Sequence, residues 1–482
     1  MQAHERATRS RRRTAGVTVV FTVCAAAFCA LLTRAAAADR RGDELTYTNA
    51  AGVLRTMHTS GVIDRTNPFF EDLGANGRRC VSCHQPAQAW TITPEELQAR
   101  FARTDGLDPI FRTNDGSNCE GANVATLDDR RRAFSLLLSK GLVRVDLPMP
   151  ANAEFEIVEV DDPYQCGGPT AAASVYRRPL PTANLAFISG VMWDGRESAA
   201  GRAIRDDLMQ QARAAVVGHA QGAPPAEAQL AAIVDFELGL FAAQALDRLA
   251  GSLSVQDARG GVRPLAIQPF CIGINDPLKM LPSMPGACAA PSPGLDANAF
   301  TLFGAWDHTA SPARQAIARG ERIFNTRRFE IDAVPGLNGG SADPVAAPIA
   351  TGTCTVCHDS PNAGNHSVPM PLRIGIADAS RRTPDLPLFT LRHKATGELV
   401  QISDPGRALV TGRWRDVGKF KGPVLRALAA RAPFFHDGSA ATLSDVLEFY
   451  DKRFRIQLTD REKADLLAFL QALKEPSERG RQ

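Results

Sequence analysis

Apolar residues recur at helical spacing in several separated stretches of the chain. Between positions 225 and 249, Leu230, Ile233, Val234, Phe236, Leu238 and Leu240 fall mostly on one face, which predicts a helix. Ser311-Pro312 reads as a helix start with proline in the first turn, and Ile317, Ile323 and Phe324 give the helix one apolar face. Thr459-Asp460-Arg461-Glu462 is a capping box that opens a helix through Leu466, Leu467, Phe469, Leu470 and Leu473, ending before Pro476. Shorter helices are predicted over 48–57, 127–140 and 443–450. Residues 101–181 are rich in breakers such as Asn114-Asp115-Gly116-Ser117-Asn118 and Cys166-Gly167-Gly168-Pro169, and 251–295 reads as an irregular insertion. With no competing sheet signal, the predicted fold class is all-α, with long loops and insertions.

The N-terminus changes this picture by removing a segment from it. Residues 6–13 are basic, 16–32 are apolar and small, and 35–38 supply a small-residue cleavage site, the order of a secretory signal peptide. The expected product is a periplasmic protein with no stable membrane insertion after signal removal. At 482 residues the rest divides most naturally in two. The predicted boundaries are 1–38 for the signal, 39–305 for a first domain and 306–482 for a second. The charge is nearly balanced, 55 basic against 52 acidic residues, and no basic run is interleaved with aromatics. Nucleic acid is therefore excluded as a partner.

Two short motifs carry the chemistry. Cys80-Val81-Ser82-Cys83-His84 and Cys354-Thr355-Val356-Cys357-His358 each place two thiols three positions apart, followed by a histidine. Such a pair can form thioethers to one haem while the histidine ligates the iron. A four-cysteine zinc site would use the same thiols but leave His84 and His358 without a role. The repeat in an exported chain favours two covalently bound haem c groups, and haem supplies apolar core to loop-rich domains. Of 10 cysteines, two leave with the signal and four belong to the motifs. Cys119, Cys166, Cys271 and Cys288 remain, with Cys119–Cys166 and Cys271–Cys288 the favoured pairing among three and free thiols the alternative.

Further motifs give a family resemblance. Val191-Met192-Trp193-Asp194-Gly195-Arg196, Lys419-Phe420-Lys421-Gly422-Pro423-Val424-Leu425-Arg426 and Ala432-Pro433-Phe434-Phe435-His436-Asp437-Gly438, continuing to Thr442-Leu443, resemble the signatures of bacterial dihaem cytochrome c peroxidases and the MauG superfamily. The pattern does not cover residues 101–181 or the insertion around Cys271. The resemblance implies two cytochrome c-like haem domains. Peroxide would meet the haem of His84, and the six-coordinate haem of His358 would handle electrons. Trp193 would relay between them; taken alone, it would read as a core tryptophan beside an Asp-Gly turn.

The same resemblance points to the axial ligand of the second haem. The family's methionine position, fourteen residues after the histidine of the HDG run, is Tyr450 here. A tyrosine there is the feature of MauG-type enzymes, which oxidise tryptophans of a partner protein. Phenolate is a harder, anionic ligand that favours ferric and higher-valent iron. Met370, His366 and His393 are the competing ligands, and a core aromatic is the plain alternative for Tyr450. Near the first haem, the Leu208-Met209-Gln210-Gln211-Ala212 segment makes Gln211 a distal amide and puts His219 near the family's catalytic glutamate. His219 could move the proton in peroxide cleavage, ligate the iron or be a surface histidine. His58 is a further axial candidate. The family's calcium would use the carbonyls of Arg431 and Pro433, but its asparagine position is Arg178. Calcium and an arginine charge therefore stand as alternatives.

The function this supports is a periplasmic dihaem oxidoreductase that reduces hydrogen peroxide. Its electrons would come from a small donor cytochrome c, a cupredoxin or a protein substrate. The alternatives are a MauG-like oxidase of a partner protein and a non-catalytic dihaem electron-transfer cytochrome.

Overall fold

A computed structural model describes residues 44–49, 51–167, 172–275, 295–338 and 351–473. The predicted signal segment and Cys288 lie outside them. In chain order the main elements are β1 (Glu44–Asn49), β2 (Gly52–His58), α1 (Pro94–Thr104), β3 (Val143–Pro148), β4 (Phe155–Asp161), β5 (Ala172–Arg177), α2 (Ile204–Gly218), α3 (Glu227–Leu238), β6 (Leu240–Asp247), α4 (Pro312–Thr326), β7 (Leu388–His393), β8 (Leu399–Ile402), α5 (Leu443–Phe454) and α6 (Asp460–Ala472).

The all-α expectation is overturned. Among the described residues helix accounts for 32% and strand for 17%, with several antiparallel sheets. The predicted helix over 48–57 is instead the hairpin of β1 and β2. Asn49 makes the turn by accepting from the amides of Ala51 and Gly52 at 3.0 and 3.1 Å. Gly52 has φ +145°, and a Cβ there would meet the Leu246 carbonyl at 2.1 Å, so only glycine fits this approach. Along β2, Leu54 and Thr56 are buried while Val53 and Arg55 are less so, the period-2 alternation of a strand.

The long predicted helix over 225–249 is half helix and half strand. α3 stops before Gly239, and β6 then runs antiparallel to β2, pairing Leu240 with His58 and Ala242 with Thr56. Leu240, Phe241, Ala242 and Ala243 are all buried. A strand buried on both faces shows no alternation, so periodicity alone reads it as a continuing helix. The stretch over 127–140 is two helices, Leu127–Ala133 and Ser135–Lys140, joined at Phe134.

Both capped helices form where expected. Ser311 accepts from the Arg314 amide at the start of α4, and Thr459 and Glu462 complete the reciprocal box of α6. These helices cross closely at Gly320, where a Cβ would lie 2.0 Å from the Asp465 carbonyl. Phe300, Phe303, Phe324 and Phe469 pack around the crossing, beside Val356 of the second motif. A second core gathers Phe69, Trp90 and Phe236 around the first motif. A third gathers around a sheet whose first strand, β4, lies in the breaker-rich stretch 101–181: β4 pairs with β7, and β7 with β8, so one sheet draws on chain both before and after position 305. Its core includes Phe155, Phe389, Phe420, Phe449 and Trp193.

Candidate functional site

The two motifs are built alike at the level of one nitrogen. Cys80–Cys83 is a single helical turn and Cys354–Val356 a 3₁₀ turn. His84 follows the first, its Nδ1 3.0 Å from the Trp90 carbonyl, and His358 follows the second, its Nδ1 2.6 Å from the Gly364 carbonyl. In each, Nδ1–H donates to the carbonyl and Nε2 keeps its lone pair, the tautomer a metal-ligating imidazole needs. Burial pushes His84 down to about 4 and lowers His358 as well, so both rings stay neutral.

Each motif opens on a cavity. His84 and Cys83 line one, and Cys354, Cys357 and His358 line the other. The second is walled by side chains such as Ile323, Phe324, Leu372, Leu447 and Phe454, a surface suited to a flat apolar macrocycle. Pro179, Leu180, Trp193, Lys421 and Pro423 line both cavities and form the partition.

Trp193 is fixed in that partition. Its Nε1 donates to the Arg178 carbonyl at 2.8 Å, and its own carbonyl accepts from the Lys421 amide at 2.7 Å. The Asp194-Gly195 turn behind it is anchored by Arg177, which bonds Asp194 at 2.5 Å and Asp404 through two nitrogens at 2.7 and 2.9 Å. All three side chains are buried. Breaking such a paired buried network costs about 3–5 kcal/mol.

In the His358 cavity, Tyr450 projects from α5 with its ring 6.3 Å from the imidazole. Among the described residues its hydroxyl has no hydrogen-bond partner, although a tyrosine in apolar surroundings usually finds one. Burial raises the phenol above its ordinary range. His366, one of the competing ligands, lines the same cavity, 2% exposed, with neither ring nitrogen hydrogen-bonded and Nδ1 3.6 Å from Asp359. Met370 and His393 are not among the lining residues. His393 bonds Thr396 and stacks on Trp414.

The His84 cavity carries the polar groups. Gln211, on α2, and His219, which caps α2, both line it. Asp115 and Arg78 join them there, neither marked by the sequence as functional. Asp115 Oδ2 meets His219 Nδ1 at 2.5 Å, and its Oδ1 accepts from Arg78 at 2.5 Å. Glu237, at the end of α3, also lines the cavity; burial pushes it up to about 8, and its Oε2 has no partner. His58 is not among the lining residues and stacks instead on Phe236.

Arg178 lies in a cage of carbonyls. Its guanidinium donates to Ile92 at 2.7 Å, Lys140 at 2.5 Å, Arg431 at 3.2 Å and Ala432 at 3.5 Å. The Arg431 carbonyl is the one the sequence suggests; Ala432 takes the place of Pro433. Burial and the nearby Arg431 pull Arg178 down to about 9, which leaves it charged at neutral pH. Outside the cavities, Cys119 and Cys166 form the favoured disulfide, with Cα atoms 5.3 Å apart. Cys271 is also disulfide-bonded.

No family model matches the chain. It is 30% identical over 140 residues to the cytochrome-c peroxidase IdrP1 of Pseudomonas sp. (strain SCT), covering 25% of this chain and 36% of that protein. It is 31% identical over 136 residues to the cytochrome-c peroxidase IdrP2 of Denitromonas iodatirespirans, with the same coverage. The chain thus spans about a third of the length of the curated relatives it matches. A solved structure of a MauG-like protein associated with microbial copper homeostasis aligns over 85% of this chain and 87% of its own, at 17% identity and a TM-score of 0.37. The curated relatives bear out the resemblance to the dihaem cytochrome c peroxidase superfamily.

Proposed function

We propose that this chain is an exported dihaem c-type oxidoreductase that reduces hydrogen peroxide. Cys80, Cys83 and His84 hold one haem, and Cys354, Cys357, His358 and Tyr450 hold the other. The observation that carries this reading is the partition: two CxxCH cavities share a wall containing Trp193. The haem beside His84 would supply the redox chemistry that reduces peroxide, with two electrons and two protons giving two waters. The protein residues have separable tasks. Gln211 binds and orients peroxide. His219 takes a proton from one oxygen and returns it to the other. Trp193 bridges the cavities for electrons arriving from a donor cytochrome c, a cupredoxin or a protein substrate. Arg178 supplies a fixed positive charge among the carbonyls, which makes calcium unnecessary.

A second reading, oxidation of a partner protein, is favoured by the unpartnered hydroxyl of Tyr450 in the His358 cavity. The first test is low-temperature EPR of the ferric protein beside Tyr450→Phe, together with peroxide consumption in the presence of a reduced donor. One high-spin and one low-spin signal are expected, with the low-spin signal altered by the substitution. Two low-spin signals insensitive to the substitution, with no peroxide consumed, would sink both enzyme readings and leave an electron carrier. Oxidising equivalents that persist without an added donor would select the partner oxidase.

A further inference from the structure

Asp115 belongs to a stretch that the family signatures do not reach, yet it lies on the wall of the His84 cavity beside His219. It is 6% exposed. Its two oxygens are divided between two partners, Oδ2 with His219 Nδ1 and Oδ1 with Arg78, each at 2.5 Å. Arg78 is itself held by the carbonyls of Pro109 and Ile110 at 2.9 and 2.7 Å. The backbone of His219 is tied as well, its carbonyl accepting from Asn76 at 2.8 Å and Arg78 at 3.1 Å. Both the ring and the main chain of His219 are thus positioned from outside α2.

The loop carrying Asp115 is firm. Its carbonyl accepts from the Arg144 amide at 2.7 Å, Ser117 donates to the Thr113 carbonyl at 2.9 Å, and Tyr176 donates to the Asn118 carbonyl at 2.5 Å. The Cys119–Cys166 disulfide anchors the same stretch four residues after Asp115.

We infer that Asp115 is a positioning residue for His219. Its ionised carboxylate accepts Nδ1–H and leaves Nε2 as the acceptor on the cavity wall, with Arg78 keeping the carboxylate in place. Nε2 has no partner among the described residues. His219 is also 45% exposed along its side chain, so it joins the cavity to solvent. That position suits the balance of peroxide reduction. The O–O bond breaks as two electrons arrive from the donor, one proton passes between the oxygens through Nε2, and two further protons enter from solvent.

This inference rests on the proposed peroxide reaction, and a double-substitution cycle separates the two. The second-order rate constant for peroxide with the haem-loaded protein is measured for wild type, Asp115→Asn, Asp115→Glu, His219→Gln and Asp115→Asn with His219→Gln. Haem content and melting temperature are followed in each. Asp115→Asn is expected to lower the constant at least about tenfold, within the range of general-base effects, and Asp115→Glu to recover most of it. With His219→Gln already present, Asp115→Asn should have no further effect. A loss that persists undiminished in the His219→Gln background would overturn the inference, because Asp115 would then act independently of His219. Loss in His219→Gln but none in Asp115→Asn would overturn it too. No loss in His219→Gln would remove the assigned role of His219, and the inference with it.

Discussion

The two cavities start from the same five-residue motif and the same histidine tautomer, yet their walls differ in kind. Around His358 the wall is mostly apolar, with His366 among its few polar groups, and offers a tyrosine with no hydrogen-bond partner among the described residues. Around His84 it carries Asp115, Arg78, His219, Gln211 and Glu237, and one of its histidines reaches solvent. The motif gives each site two thiols and an imidazole whose Nε2 keeps its lone pair; the surroundings decide what each site can do. A site that exchanges protons needs polar groups and a route to water. One that only passes electrons does better closed and apolar, where little has to reorganise.

The asymmetry can be broken at several points. The largest expected effect is on stability: replacing Cys119 and Cys166 with alanine removes a cross-link of sequence separation 47, worth about 4 kcal/mol. Chemical denaturation should show this loss, and haem spectra should change at the His84 site, next to the released loop, and not at the His358 site. Next comes Arg178→Met, which leaves the buried carbonyls of Ile92, Lys140 and Arg431 unbonded and should cost about 3 kcal/mol. Wild type treated with a chelator should keep its melting temperature and spectra, whereas a chelator-induced loss would place a metal in that cage.

Trp193→Phe keeps an aromatic ring in the partition but deletes the hydrogen bond to Arg178. Donor-driven turnover should fall about tenfold, equivalent to about 1.4 kcal/mol, with little change in the direct reaction of peroxide at the His84 side. An equal loss in both would mean that Trp193 only packs. The smallest effect is on acid stability. Burial pushes the Asp115 carboxyl up, but His219 and Arg78 outweigh it and hold the group below its ordinary value of 3.8. Its contribution should therefore be fully present above that value and lost as pH falls through the lowered folded value. The stability gap between wild type and Asp115→Asn should stay constant near neutrality and narrow below about pH 4.

What could be read along the chain was local. The CxxCH motifs, the caps at Ser311 and Thr459 and the place of Tyr450 after His436 are relations between residues near each other in sequence, and each is present in the fold. The candidate site was legible to the same extent: Gln211 and His219 do line the His84 cavity, and Trp193 does line both cavities.

The sheets escaped because strands buried on both faces, such as β6, have no alternation to read, and because β4 finds its partner more than two hundred residues away. Asp115 escaped for a similar reason. In sequence it belongs to an Asn-Asp-Gly turn 104 positions from His219, and only the folded chain brings it to 2.5 Å from that histidine. The amino-acid sequence by itself determined which groups can bind a haem iron, since that depends on residue type and short spacing. Tertiary structure alone decided which side chains surround each motif, because those contacts depend on long-range packing that no local pattern encodes.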